Sequence, residues 1–128
     1  MLTALSAFSG FSVDSIDKAR TFYVDTLVMK PLDDNMGLML ELPGGNRLFV
    51  YEKADHQPAS FTVLNFVVEN IDETVDHLSS HGISFERYDN LPAPQGDNGV
   101  LRGKDAGMGP NIAWFKDPAG NILAVIEN

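Results

Sequence analysis

No cysteine occurs in the 128 residues, which excludes disulfides, thiolate metal ligands and thiol nucleophiles together. Positive charge is scarce: 9 Lys and Arg stand against 18 Asp and Glu, a net charge of −9. Such a balance repels phosphate backbones and anionic lipid surfaces, so neither nucleic acid nor membrane is an expected partner, and a neutral or cationic small molecule suits it better. No apolar run approaches a membrane span, and the first basic side chain is Lys18. The basic start of a secretion signal is therefore missing, and a cytoplasmic location is expected. What remains is ordinary folded-protein composition, with 44% hydrophobic and 9% aromatic residues, in a length that makes one domain or two small modules sharing a core.

Patterning along the chain gives the order of elements. Ala4 to Val13 is compatible with a strand, and Ser15-Ile16-Asp17 leads into a helix with Ile16, Ala19, Phe22 and Tyr23 on one face, ended at Lys30-Pro31. Leu38 to Leu42 and Arg47 to Glu52 alternate around the turn Pro43-Gly44-Gly45-Asn46, which predicts a hairpin. Phe61 to Val68 is an apolar strand, and Asn70-Ile71-Asp72 opens a helix through Val75 and Leu78 that Gly82 stops. Strands are then expected at Ile83 to Tyr88, Gly99 to Arg102, Asn111 to Lys116 and Ile122 to Ile126. The order reads βαβββ, twice.

Superposing the halves makes the duplication concrete. Phe11-Ser12-Val13-Asp14-Ser15-Ile16-Asp17 lies over Phe66-Val67-Val68-Glu69-Asn70-Ile71-Asp72, 55 positions later. The turn Pro43-Gly44-Gly45-Asn46 lies over Pro118-Ala119-Gly120-Asn121, with Leu48 and Val50 on Leu123 and Val125, 75 positions later. The longer offset places an insertion at Asp89 to Gly109, rich in Gly, Pro, Asp and Asn, which reads as a long loop around one short strand: a lid, or a solvated excursion.

The duplicated unit, with Asp17 and Phe22-Tyr23 after the first strand and Asp117-Pro118-Ala119-Gly120-Asn121 before the last, resembles the vicinal oxygen chelate superfamily of glyoxalases, bleomycin resistance proteins and extradiol dioxygenases. The resemblance implies an α+β fold of two βαβββ modules, residues 1–53 and 61–128 joined by a linker at 54–60. Their eight strands would form a cup-shaped mixed sheet with helices outside, in a homodimer. It also implies a metal held by one His and one Glu from each half. Those positions fall here on Phe8 and Val63 for the His and on Phe49 and Ala124 for the Glu. Phenyl, isopropyl and methyl groups offer a divalent ion no lone pair, so no metal and no other cofactor is expected, and metal-dependent glyoxalase or dioxygenase chemistry is disfavoured.

Strand parity indicates what the cup would present. Phe11, Val13, Phe66, Val68 and the stripe Leu38, Leu40 and Leu42 belong against the helices. Phe8, Met39, Arg47, Phe49 and Tyr51, with Val63, Asn65, Trp114 and Ala124, are the candidate ligand-binding residues on the opposite face. Four of them carry planar aromatic rings, the surface on which an aromatic or cationic molecule is held. Asn65 is the most telling polar residue of its strand and, if buried, requires a partner. Glu41 is the one carboxylate that parity aims inward, a candidate acid or base or a strand-end partner for Lys116.

Other clusters carry less. Glu73, His77 and His81 lie at helical spacing suited to zinc, yet opposite the buried stripe of Ile71, Val75 and Leu78. His56 stands in a polar linker and reads as solvated. Gly103, Gly107 and Gly109 are followed by Pro110 and a strand, not by the helix a phosphate loop needs. The function expected is binding of a small aromatic or cationic molecule in an apolar cup without the usual metal. The alternative is an enzyme of the same superfamily, a lyase, isomerase or dioxygenase, with a relocated metal or with metal-independent chemistry through Glu41, Tyr51 or Lys116.

Overall fold

In the computed structural model, whose described residues are 1–32 and 36–128, the chain divides into a first unit, Met1–Pro58, and a second, Ala59–Asn128. The first unit runs β1 (Ser9–Val13), α1 (Ile16–Arg20) with a π-helical continuation (Thr21–Thr26), β2 (Lys30–Leu32), β3 (Leu38–Glu41) and β4 (Arg47–Glu52). The second runs β5 (Thr62–Val68), α2 (Ile71–Ser80), β6 (Leu101–Arg102), β7 (Asn111–Lys116) and β8 (Ile122–Glu127). The eight strands lie in two four-stranded mixed sheets of equivalent order, β1-β4-β3-β2 and β5-β8-β7-β6. In each, the first strand pairs parallel with the last and the remaining pairs are antiparallel. The repeat read from sequence is thus a repeat of topology.

Register carries the two offsets into space. Phe11 pairs with Val50 as Phe66 pairs with Val125, and Val13 with Glu52 as Val68 with Glu127. One face of each sheet is apolar and packs on its own helix, α1 on β4 and α2 on β7 and β8. Leu38, Leu40, Leu48, Val50, Ala19 and Tyr23 are buried in the first unit, and Ile71, Val75, Ala113, Phe115, Leu123 and Val125 in the second, as period-two strands and amphipathic helices require. Both helices start from a polar cap in extended conformation: Ser15 Oγ accepts from the Lys18 N–H at 3.3 Å and Asn70 Oδ1 from the Glu73 N–H at 3.1 Å.

The strand expected at Gly99 to Arg102 is shortened to β6, other strand ends move by one residue, and four larger departures from the predicted pattern have a physical reason. The first strand begins at Ser9, not Ala4. The first helix widens after Arg20, where the Leu27 N–H reaches the Phe22 carbonyl five residues back at 2.9 Å. Lys30-Pro31 belongs to β2, an edge strand in which a proline's missing N–H costs no ladder bond. Ile83 to Tyr88 is not a strand: its one ladder contact is the bridge Phe85 to Phe115, beyond which a side chain rather than a strand takes up its backbone groups.

The Asp89 to Gly109 insertion is anchored through Asn98 and Arg102. Arg102 grips the Asp72 carboxylate with both guanidinium nitrogens, at 2.5 and 3.0 Å, and Asn98 donates to the same carboxylate at 2.8 Å. The Arg102 bonds, then the Asn98 bond, hold the Asp72 carboxyl below its ordinary range. Gly103, grouped by sequence with Gly107 and Gly109, answers to packing: a Cβ there would sit 2.3 Å from the Pro110 carbonyl oxygen.

Candidate functional site

The sheet face turned away from the helix is aromatic in the first unit. Gly10, Phe49, Met39 and Leu32 form one rung across the four strands. Phe49 and Tyr51, two residues apart on β4, stack with centroids 5.7 Å apart and planes within 20°. The exposed Phe8 ring meets Phe49 edge-on at 6.4 Å, and the Arg47 guanidinium lies 5.7 Å from the Phe8 centroid. Phe8, Met39, Arg47, Phe49 and Tyr51 therefore share one face, where parity placed them. Glu41 is on that face as well, but its carboxylate takes Lys30, its cross-strand partner, at 3.4 Å. Lys116 pairs with Glu86 at 3.2 Å. Each charge has a partner within its own unit.

Sequence reading missed a contact at the border of this face. Ser12, the register partner of Tyr51, has its Oγ 2.7 Å from His56 Nδ1. His56 is half-buried, because Lys53 donates its N–H to the Val13 carbonyl and the chain then turns back over β1. A polar linker composition gave no sign of that return.

In the second unit Asn65, Ala124 and Trp114 form one rung. Ala124 is fully buried and Asn65 is exposed, so the requirement for a buried Asn partner does not arise. Val63 departs from the expected parity. Thr62 pairs with Ile122 and Leu64 with Leu123, so Val63 is the extra residue of a β-bulge and Thr62 takes the place beside Ile122.

This shift helps to shape a cavity of about 270 Å³ lined by Ser60, Phe61, Thr62, Tyr88, Trp114 and Ile122. Trp114 meets Tyr88 edge to face, centroids 5.4 Å apart and planes at 71°. Burial, then the Glu86 carboxylate, pushes the Tyr88 hydroxyl above its usual range against a smaller opposing effect of Lys116, so it stays protonated and able to donate. Of the cavity residues, parity placed Trp114 and Ile122 on the face turned from the helix. Phe61, Thr62 and Tyr88 escaped it, since a bulge and an irregular segment follow no period.

The helix row resolves as surface. His81 Nδ1 lies 2.8 Å from the His77 carbonyl and 3.1 Å from Ser80 Oγ, and the two imidazoles are 4.5 Å apart. Among the described residues, no three His, Asp or Glu side chains are grouped so as to hold a metal ion. Among the same residues no helix is long and apolar enough to cross a membrane.

Comparison with known proteins agrees with this architecture. No curated protein matches the chain in sequence. A glyoxalase family protein from Bacillus anthracis superposes with a TM-score of 0.67 at 20% identity, over 100% of this chain and 99% of that one. TnmS3, an antibiotic binding protein from a Streptomyces species, gives 0.65 at 23% identity over 98% of both chains. A fosfomycin resistance protein from Listeria monocytogenes gives 0.67 at 12% identity, over 100% of this chain and 95% of that one. At these identities the likeness is one of fold. The family model for the Glyoxalase/Bleomycin resistance protein/Dioxygenase superfamily matches residues 7–125, nearly the whole duplicated unit, and the chain belongs to that superfamily.

Proposed function

We propose that the protein binds a small planar aromatic molecule in the second unit's cavity, and does so without the metal centre usual in its superfamily. The observation that carries this reading is the meeting of Trp114 and Tyr88 at a cavity of about 270 Å³. That volume is at the lower end of ligand sites, so it suits two or three fused rings, or one ring system of a larger molecule. Trp114 and Tyr88 offer aromatic rings, Tyr88 a protonated hydroxyl, Phe61 and Ile122 apolar surface, and Ser60 and Thr62 hydroxyls for orientation.

The donor chemistry supports the metal-free half of the reading. At the four positions where the superfamily holds its ion stand Phe8, Phe49, Val63 and Ala124. Phe8 and Phe49 are packed on each other, Val63 occupies a bulge and Ala124 is buried. None has a lone pair to give. An antibiotic binding protein among the structural neighbours supports binding of a small molecule over its turnover. The enzymatic alternative draws less support, because Glu41 and Lys116 are each held in an ion pair.

The test is calorimetric titration with acridine, a neutral three-ring probe near pH 8. The expected result is saturable 1:1 binding that Trp114→Ala weakens at least tenfold, about 1.4 kcal/mol. Absence of binding, or binding that Trp114→Ala leaves intact, would overturn the proposal.

A further inference from the structure

Tyr88 lies outside any strand, yet its ring is set against Trp114. Its backbone shows what holds it. The Tyr88 N–H donates to Gln95 Oε1 at 2.9 Å, and Gln95 Nε2 donates to the Glu86 carbonyl at 3.0 Å. Accepting from one residue and donating to the residue two before it is what the C=O and N–H of a single residue do beside a parallel strand. The side-chain amide of Gln95 thus stands in for a missing strand on the outer edge of residues 86–88. On the inner edge the Glu86 N–H donates to the Trp114 carbonyl at 2.8 Å. The segment carrying Tyr88 is clamped between β7, which carries Trp114, and one amide of the inserted loop.

That amide is itself fixed. Its second Nε2 hydrogen goes to the Gly99 carbonyl at 2.6 Å, Gln95 bridges to Leu101, and the Gly96 N–H donates to the Val100 carbonyl at 2.8 Å. Both Gln95 amide hydrogens and its oxygen are committed to backbone groups of three residues, so the side chain has one compatible placement. A half-buried residue whose two amide hydrogens and oxygen are all bonded to backbone fixes a geometry, because any shorter or differently charged side chain strands a carbonyl or an N–H.

From this we infer that Gln95 is the positioning residue of the aromatic site: its amide sets the Tyr88 ring against Trp114, and so fixes how thick a ring system the site admits. The inference rests on the proposed site, but its first reading needs no ligand. The protein has one tryptophan, so its fluorescence reports Trp114 alone.

The experiment compares the full chain with Gln95→Met, which keeps the length and removes both the donor and the acceptor, and with Asn98→Ala, which loosens the same loop through its bond to Asp72. In the absence of ligand, Gln95→Met is expected to red-shift Trp114 emission and to speed hydrogen exchange of the Tyr88 amide at least tenfold, while Asn98→Ala changes neither. Gln95→Glu serves if Gln95→Met does not fold. Its carboxylate, ionised at pH 7, keeps an acceptor for the Tyr88 N–H but lacks both donors, so the same red shift of Trp114 emission is expected. Unaltered emission and exchange in Gln95→Met, or equal changes in Asn98→Ala, would overturn the assignment. When acridine binding is added, Gln95→Met is expected to weaken it at least fivefold. Acridine that never binds the parent chain refutes the ligand site and leaves the ring-positioning result standing on fluorescence and exchange.

Discussion

The backbone N–H of Ile71, first residue of α2, donates to the Glu127 carboxylate at 3.0 Å. In the first unit Ile16, first residue of α1, donates to Glu52 at the same 3.0 Å. Each glutamate ends the strand that pairs parallel with the one feeding the helix, so strand register alone delivers a carboxylate to the positive end of the helix. The Ile71 bond first, then the Asn111 amide and Lys104, hold the Glu127 carboxyl below its usual range.

A carboxyl whose folded value is lowered contributes stability that is present above its unfolded value, about 4.3, and is lost as the pH falls through the folded one. Glu127→Gln keeps an acceptor for Ile71 and removes the charge. The variant should melt a few degrees below the parent at pH 7, and the gap should close as both are acidified below about 4. Thermal melts across that range decide it; a gap that stays constant down to pH 3 assigns the loss to packing.

This carboxylate pairing shows where the sequence is legible. The repeat of Leu48 and Val50 on Leu123 and Val125 predicts the strand register correctly, and one further step along it reaches Glu52 and Glu127, whose spacing is the same. Period-two patterning likewise places Phe49, Tyr51 and Trp114 on the face turned from the helix. It fails where backbone leaves the period. The bulge at Val63 advances Thr62 into the row, and the 86–88 segment is held by a side-chain amide rather than by a strand. His56 is reached through a reversal of the chain after Lys53 that no residue spacing encodes.

Val28 offers a conformational test. It closes the widened first helix with φ 58°, in the left-handed region, and its side chain is 79% exposed. A β-branched residue there pays roughly 1–2 kcal/mol in backbone strain, and exposure gives little packing in return. Val28→Gly removes that strain, offset by roughly 0.5–1 kcal/mol of added freedom in the unfolded chain. The expected outcome is a net gain approaching about 1 kcal/mol, seen as a melting temperature raised by a few degrees. Val28→Ala, which retains a Cβ, should gain less. A lower melting temperature for the glycine variant would show that the Val28 methyls stabilise more than the strain costs.

Gly103 and Gly107 separate space from conformation within one loop. A Cβ at Gly103 would lie 2.3 Å from the Pro110 oxygen and 2.9 Å from the Gly109 oxygen, both backbone atoms with nowhere to move. At Gly107, φ is +65° and nothing lies within 4 Å. Gly103→Ala is therefore expected to cost roughly 2–3 kcal/mol by overpacking, and Gly107→Ala only about 1 kcal/mol for the left-handed backbone. Urea titrations of the two variants with an unchanged slope would verify that order; equal losses would mean that the loop relaxes around the new methyl.

The charge selectivity of the proposed site is expected to follow from a single ion pair. The net charge of −9 suggests a preference for cations, but the carboxylate acting on Tyr88 is that of Glu86, and Lys116 sits 3.2 Å from it and acts on Tyr88 in the opposite sense. Locally Lys116 offsets part of the Glu86 charge, and distant carboxylates are screened within about 8 Å at physiological salt. Acridine and the cationic 9-aminoacridine should therefore bind within about threefold of each other at 0.15 M salt, because stacking on Trp114 serves both alike. Lys116→Ala leaves Glu86 uncompensated and should shift the ratio severalfold toward the cation, more so at low salt. Calorimetric titration of both probes into both proteins gives the ratio directly. A parent chain that already prefers the cation tenfold, with no change in Lys116→Ala, would show that the field of the whole molecule, and not this pair, sets the selectivity.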